Sequence, residues 1–309
     1  MFLLRRVVCS FTAVLLFAQI VCAQEVKLVY SQDIAAYREV IAGFKSVYTK
    51  PFDAYDLKGS PARLTEVMGN LLQADLIVTI GLLSTIIVRD EIRDIPSKRM
   101  VFSMLFDPAR FLLPDSVAAG VALDILPSTL FSEIKQIFPN VHKIGILYDP
   151  QKNKKIVEAY QQAAKDYGGL SIISTPVLVA KDVPRAVDIL LGQVDLLWII
   201  PDSTVISRES MALILSSSLA YRVPVLTFSE ELVKMGAVAS LSFDYKSIGE
   251  ALGRLAKQVL QGKEPSDIPL QYAERSRLTI NQKAAKKLGI EIPAEILRRA
   301  NRFYDATDD

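Results

Sequence analysis

The sequence predicts an α/β protein made of two similar lobes, each built on a parallel sheet. Three observations carry this. Apolar runs rich in β-branched residues alternate with segments of helical spacing from Val26 to Leu260. Asp195-Leu196-Leu197-Trp198-Ile199-Ile200, an apolar run without polar alternation, reads as a strand buried on both faces. Ala74-Asp75-Leu76-Ile77-Val78-Thr79-Ile80 has the same form and the same place in the first half.

The elements follow in order. Val26–Gln32 is the first strand, and Tyr37, Val40, Ile41, Phe44 and Val47 mark the helix behind it. A more exposed strand at Phe52–Leu57 precedes a helix from Pro61 to Gln73, with Ser60 as its expected cap. The strand at 75–80, a helix at 84–93, a strand at 99–106 and a short strand at 118–123 complete the first series. The order then restarts. A helix at 126–138 leads to the strand Lys143–Asp149 and its helix 152–167, closed by Gly168-Gly169. A strand at 170–174, a helix at 183–191, the strand at 195–200, a helix at 208–221 and a strand at 223–229 follow. Four strand–helix units thus recur in register. After a short helix at 230–234 come a strand at 237–244, an amphipathic helix at 248–260, short strands at 270–273 and 276–280, a helix capped by Asn281, and a helical tail over 293–303. Pro201 ends the strand at 195–200, with Ser203 or Thr204 as the expected cap of the next helix. The reading gives an N-terminal lobe of 24–122 plus 246–268, a C-terminal lobe of 123–245 plus 269–309, and three crossing segments between them.

Residues 1–23 read as a secretory signal peptide: Arg5 and Arg6, an apolar stretch from Val7 to Val21, and a small-residue boundary at Ala23. A lipid anchor through Cys22 is the rival, disfavoured by the bulky Gln19-Ile20-Val21 before it. Cleavage after Ala23 removes both cysteines, and with them any disulfide or cysteine-based site. It also removes Arg5 and Arg6, which brings the Lys+Arg total of 36 down to the Asp+Glu total of 34. A neutral mature chain has no electrostatic case for nucleic acid.

Ligands of open parallel sheets bind beyond the C-terminal ends of the strands. Two lobes facing each other would put those ends round one cleft. The candidates are Ser31, Gln32, Gly81, Leu82, Ser84, Thr85, Phe106 and Asp107 from the first lobe, and Asn153, Asp202, Ser203, Phe228, Ser229 and Asp244 from the second. Helix N-termini near Ser84 and after Ser203 offer N–H groups to a carboxylate. Asp107 or Asp202 suits an ammonium group, and Phe106 and Phe228 suit an apolar or aromatic part. The single histidine, His142, lies away from these positions, so no Ser-His-Asp arrangement has a base. There is no glycine-rich phosphate loop and no metal-ligand spacing. The inventory favours binding over catalysis, with no cofactor; an enzyme using cleft carboxylates is the competing class.

Several segments resemble the substrate-binding proteins of ABC importers in the tryptophan/tyrosine-binding group. They are Pro139–Pro150, Phe228 with Glu231–Ser240, Gly249 through Pro265, and Leu278-Thr279-Ile280-Asn281 with Ala284-Ala285 and Leu288-Gly289-Ile290. The resemblance implies a type I periplasmic-binding fold, two Rossmann-like lobes with a three-segment hinge that closes on a small molecule. It also implies an exported, periplasmic, monomeric protein that serves a membrane ABC permease, or alternatively a sensor that presents its closed form to a receptor. The first half departs from the family pattern at Gly81-Leu82-Leu83-Ser84 and at Leu113–Gly120. The second half offers a polar Asp-Ser-Thr end and the first an apolar Leu-Leu, which suits a ligand with one polar and one apolar part.

Overall fold

The computed structural model describes residues 24–305 apart from Glu274. The signal-peptide reading and both cysteines fall outside the described residues.

The first lobe begins with β1 (Val26–Tyr30), α1 (Ala35–Val47), β2 (Asp53–Asp56), α2 (Arg63–Leu71), β3 (Leu76–Ile80), α3 (Leu82–Ile92), β4 (Met100–Ser103) and β5 (Ala118–Val121). Its sheet has the order β2-β1-β3-β4-β5, and every pair is parallel. The second lobe contains α4 (Pro127–Ile137), β6 (Lys143–Tyr148), α5 (Pro150–Tyr167), β7 (Ser171–Pro176), α6 (Val183–Leu191), β8 (Leu196–Trp198), α7 (Arg208–Tyr221), β9 (Val225–Thr227), α8 (Glu230–Met235) and β10 (Ala239–Phe243). The chain then returns to the first lobe as α9 (Tyr245–Leu260). It ends in the second as β11 (Ser276–Asn281), α10 (Gln282–Leu288), α11 (Ala294–Arg299) and β12 (Arg302–Tyr304). The second sheet runs β12-β11-β10-β9-β8-β6-β7, with β11 antiparallel to β10.

Setting β11 and β12 aside, both sheets have one strand order: second, first, third, fourth, fifth. The recurrence expected from the sequence is therefore a shared topology. Each sheet is apolar on both faces. One face of the first is covered by α1 and α9, and the other by α2 and α3. Strands such as Leu76–Ile80 are buried at every position because helices cover both sides.

Crossings tie the lobes together. Gly120 and Ala122 exchange main-chain bonds with Gln271: Gln271 N–H donates to Gly120 O at 3.0 Å, and Ala122 N–H to Gln271 O at 2.8 Å. The segment expected as a strand at 270–273 is this single bridge, since only Gln271 pairs.

Other boundaries differ for local reasons. The helix expected from Pro61 starts at Arg63, because Ser60 and Pro61 form a turn whose carbonyls take Arg63 N–H and Leu64 N–H. Neither Ser203 nor Thr204 caps a helix: α7 starts at Arg208 under a reciprocal Ser207–Ser210 cap. The tail is a short helix followed by the edge strand β12, held by Tyr304 Oη donating to Glu230 at 2.6 Å and by the Arg302–Glu230 ion pair at 2.9 Å. Asn281 does cap α10, accepting Ala284 N–H at 2.8 Å.

Helix α9 packs on α1 at backbone-contact range. A Cβ on Gly249 would strike the Val40 carbonyl, and one on Gly43 the Lys246 carbonyl. Only glycine allows this approach. Gly249→Ala should therefore cost about 1–3 kcal/mol, the range for overpacking a tight contact, read as a lower urea midpoint with an unchanged slope. An unchanged midpoint would mean that the helices separate freely.

Candidate functional site

Strands β1, β3 and β4 end on the same side of the first sheet, and β6, β8 and β9 end on the same side of the second. The loops leaving those ends and the first turns of α3 and α5 carry all the expected site residues except Asp244, which lies on the crossing from β10 to α9.

On the first lobe most of the hydroxyls are taken up in local structure. Ser31 is buried and accepts Ser84 N–H at 3.0 Å. Ser84 is fully buried, and its hydroxyl donates back to Ile80 O at 2.9 Å. Thr85 donates to Gly81 O at 2.8 Å and meets Thr79 at 2.9 Å. Ser84 and Thr85 are thus internal braces of the β3–α3 turn, and the ligand-binding hydroxyls expected there are turned inward. Gly81 itself has φ +96°, where a side chain would be strained. The Tyr37 ring packs over it, with Cζ 2.7 Å from where a Cβ would lie. Burial raises the Tyr37 pKa, so its phenol is neutral at ordinary pH. The N–H groups of Leu82 and Leu83 begin α3 and have no intrahelical acceptor. Leu82 and Gln32 are exposed.

On the second lobe Asp202 is buried, and its carboxylate is saturated. One oxygen accepts Asp149 N–H at 2.7 Å and Asn153 Nδ2 at 2.8 Å; the other accepts Thr204 N–H at 2.9 Å and Val205 N–H at 3.3 Å. These four bonds come from within the protein, where the sequence expectation has the carboxylate facing a ligand ammonium. Asn153 serves the same network. Asp149 takes Thr204 Oγ1 at 2.7 Å and Gln151 N–H at 2.9 Å, and these bonds, led by the Thr204 hydroxyl, lower its pKa. Lys152 Nζ donates to Ser203 Oγ at 2.7 Å and to Thr204 Oγ1 at 2.8 Å while remaining partly exposed. Ser229 caps α8 and Asp244 caps α9. Phe228 packs against the core cluster under α6 and α7.

What remains open lies at the crossings. Phe106 is 60% exposed and meets Phe243 edge to face, with ring centroids 5.9 Å apart; Phe243 in turn lies 6.3 Å from Tyr245. Phe106 stands on a loop with three left-handed non-glycine residues, Met104, Asp107 and Leu112, a conformation found where function holds the backbone against its preference. Asp107 N–H donates to the Asp124 carboxylate at 3.1 Å. Burial raises the Asp124 pKa, the Asp107 N–H opposes this, and the Asp107 charge adds to it. Burial also pushes Tyr160 up to about 12, with the Asp124 charge contributing. Tyr37, Asp124, Phe243 and Tyr245 were not among the sequence candidates. The one available signal was their place beside turns and crossings.

A model of the ABC transporter substrate-binding protein family matches residues 34–303. The chain belongs to that family. Its members bind solutes and are not enzymes. A tyrosine-binding protein of Clostridioides difficile is 26% identical over 70% of this chain, and the match spans 64% of that protein's length. An uncharacterized protein of Rickettsia prowazekii is 24% identical over 91% of each chain. Among solved structures, the ligand-free, open form of a substrate-binding protein from Clostridium difficile has a TM-score of 0.75 at 20% identity, covering 90% of this chain and 98% of the other. An ABC domain from Streptococcus pneumonia in complex with L-Trp has a TM-score of 0.56 at 22% identity, covering 91% and 99%. These establish the fold as that of type I periplasmic-binding proteins. Among the described residues, no helix is long and apolar enough to cross a membrane.

Two tests follow from the loop network. Asp202→Ala strands the N–H groups of Asp149, Thr204 and Val205, while Asn153 Nδ2 keeps Pro201 O, and each unsatisfied buried group costs about 1–3 kcal/mol. The variant should show a clear loss of thermal stability, and unchanged stability would return Asp202 to the ligand. The lowered pKa of Asp149 makes its stabilisation complete above the unfolded carboxylate range, with loss as pH falls through the folded value. Urea unfolding across an acid series should therefore show a steeper decline for the native chain than for Asp149→Asn.

Proposed function

We propose that the protein is an exported, periplasmic solute-binding protein that captures an aromatic amino acid or a close relative between its lobes and delivers it to an ABC permease. The lobes are 24–122 plus 246–268 and 123–245 plus 269–309, and the working unit is a monomer without cofactor or nucleic acid. The observation that carries the ligand class is the crossing site. An exposed Phe106 faces Phe243 beside the carboxylates of Asp107 and Asp124, and among the described residues neither carboxylate forms an ion pair. Aromatic faces suit a planar side chain, and the paired carboxylates suit an ammonium group. The free N–H groups that open α3 suit the ligand's carboxylate. The names of the relatives, one tyrosine-binding and one solved with L-Trp, support the same class.

The present form is read as open. Its likeness to the ligand-free, open relative, at 0.75, exceeds that to the L-Trp complex, at 0.56. Closure would bring the Lys152–Ser203 loop of the second lobe toward Tyr37 and Leu82 of the first, as ligand contacts favour the closed population.

Calorimetric titration with L-tyrosine and L-tryptophan, with ribose as control, is the test. An amino acid should bind and ribose should not. Phe106→Ala and Asp124→Asn should each weaken binding about tenfold or more, the loss of roughly 1.5 kcal/mol from one aromatic or charge-assisted contact. Undiminished affinity in both variants would overturn the site, and binding of the sugar alone would overturn the ligand class.

A further inference from the structure

Among the described residues, an ion pair joins the lobes away from the Tyr37–Gly81 wall. Arg277 Nη1 of β11 lies 3.3 Å from Glu39 Oε2 of α1. Both side chains are close to half exposed. Glu39 belongs to the first lobe and Arg277 to the second, and the pair sits beside the crossing from β10 to α9. The same groove, of about 400 Å³, is lined by Ala42, Asp244, Lys246 and Asn301.

Two pieces of geometry set this pair apart from the Tyr37–Gly81 wall. Glu39 follows Tyr37 by two residues, about 200° round the helix, so it projects away from the Tyr37–Gly81 wall. In the second sheet the order is β12-β11-β10-β9-β8-β6-β7. The wall loops leave β9, β8 and β6, on one side of β10, while Arg277 is on β11, on the other side. The crossing strand β10 lies between them like the pivot of a seesaw. If the lobes turn about β10, a rotation that carries the β6 and β8 loops toward the first lobe carries β11 away from α1.

We infer that the Glu39–Arg277 pair is a rear latch that holds the lobes apart, so that ligand-driven closure must break it. The latch sets how far binding energy is drawn down by closure, and so tunes affinity from outside the site. It rests on the reading of this form as open. An exposed pair contributes modestly, and apparent affinity scales with the fraction of closure-competent molecules. Removing the pair should therefore tighten binding by about two- to fivefold.

The test uses the full chain with Cys9 and Cys22 replaced by serine and spin labels at Thr65→Cys in α2 and Lys155→Cys in α5, both exposed positions. Without ligand, Glu39→Gln and Arg277→Gln should each shift the interlobe distance distribution toward shorter values. The charge exchange Glu39→Arg with Arg277→Glu should restore the native distribution. Titration with L-tyrosine should show the same order in affinity. Ligand-free distributions that do not move in the single variants, or that move and are not restored by the exchange, would overturn the latch. Failure of every variant to bind L-tyrosine would instead overturn the ligand class, because the ligand-free distances decide the latch by themselves.

Discussion

The two main-chain bonds between Gln271 and the end of β5 constrain everything else in this molecule. They fasten the third crossing to the first, so that the lobes are linked by a paired ribbon rather than by separate threads. A third bond, from Ala273 N–H to Asp124 O at 3.3 Å, extends the ribbon to the start of the second lobe. A ribbon bends more readily in one direction than in others, which is what a hinge requires. It also places Asp124 and, through Leu123 N–H donating to Leu105 O, the Phe106 loop at the bending point. The proposed site and the crossings between the lobes therefore share residues, which places the proposed ligand contacts next to the joints of the chain.

The side chains at the strand ends and crossings fall into two populations. Ser31, Ser84, Thr85, Asn153, Asp149 and Asp202 are committed to holding loops in place, with their bonding capacity filled from within. Leu82, Phe106, Asp107 and Lys152 are left at the surface. The first population fixes the loops rigidly enough for the second to be presented in a defined arrangement.

Periodicity made the strands and most helices legible, because burial on one or two faces leaves a repeat in the sequence. The doubled series was legible for the same reason, and it became one strand order used twice. The site was only partly legible. An aspartate after Ile200-Pro201 has the same local pattern whether its carboxylate faces solvent or a neighbouring loop. The partners that settle it, Asp149 and Asn153, lie about fifty residues earlier on another strand end. Phe243 and Tyr245 read as the end of a strand and the start of a helix, and nothing local shows that the chain changes lobes between them. The edge strand Arg302–Tyr304 is too short to carry a period.

The close approach of α9 to α1 has a consequence for how the chain reaches this form. Helix α1 lies near the start of the described chain, and the helix that completes its core is made some two hundred residues later, after most of the second lobe. Contacts so distant along the chain are slow to form, because the loop between them must be closed first. The second lobe can gather most of its core while the first still waits for a partner. A molecule that finishes its opening domain last remains threadable for longer than one whose domains close in order, a property that would serve the export proposed for this chain.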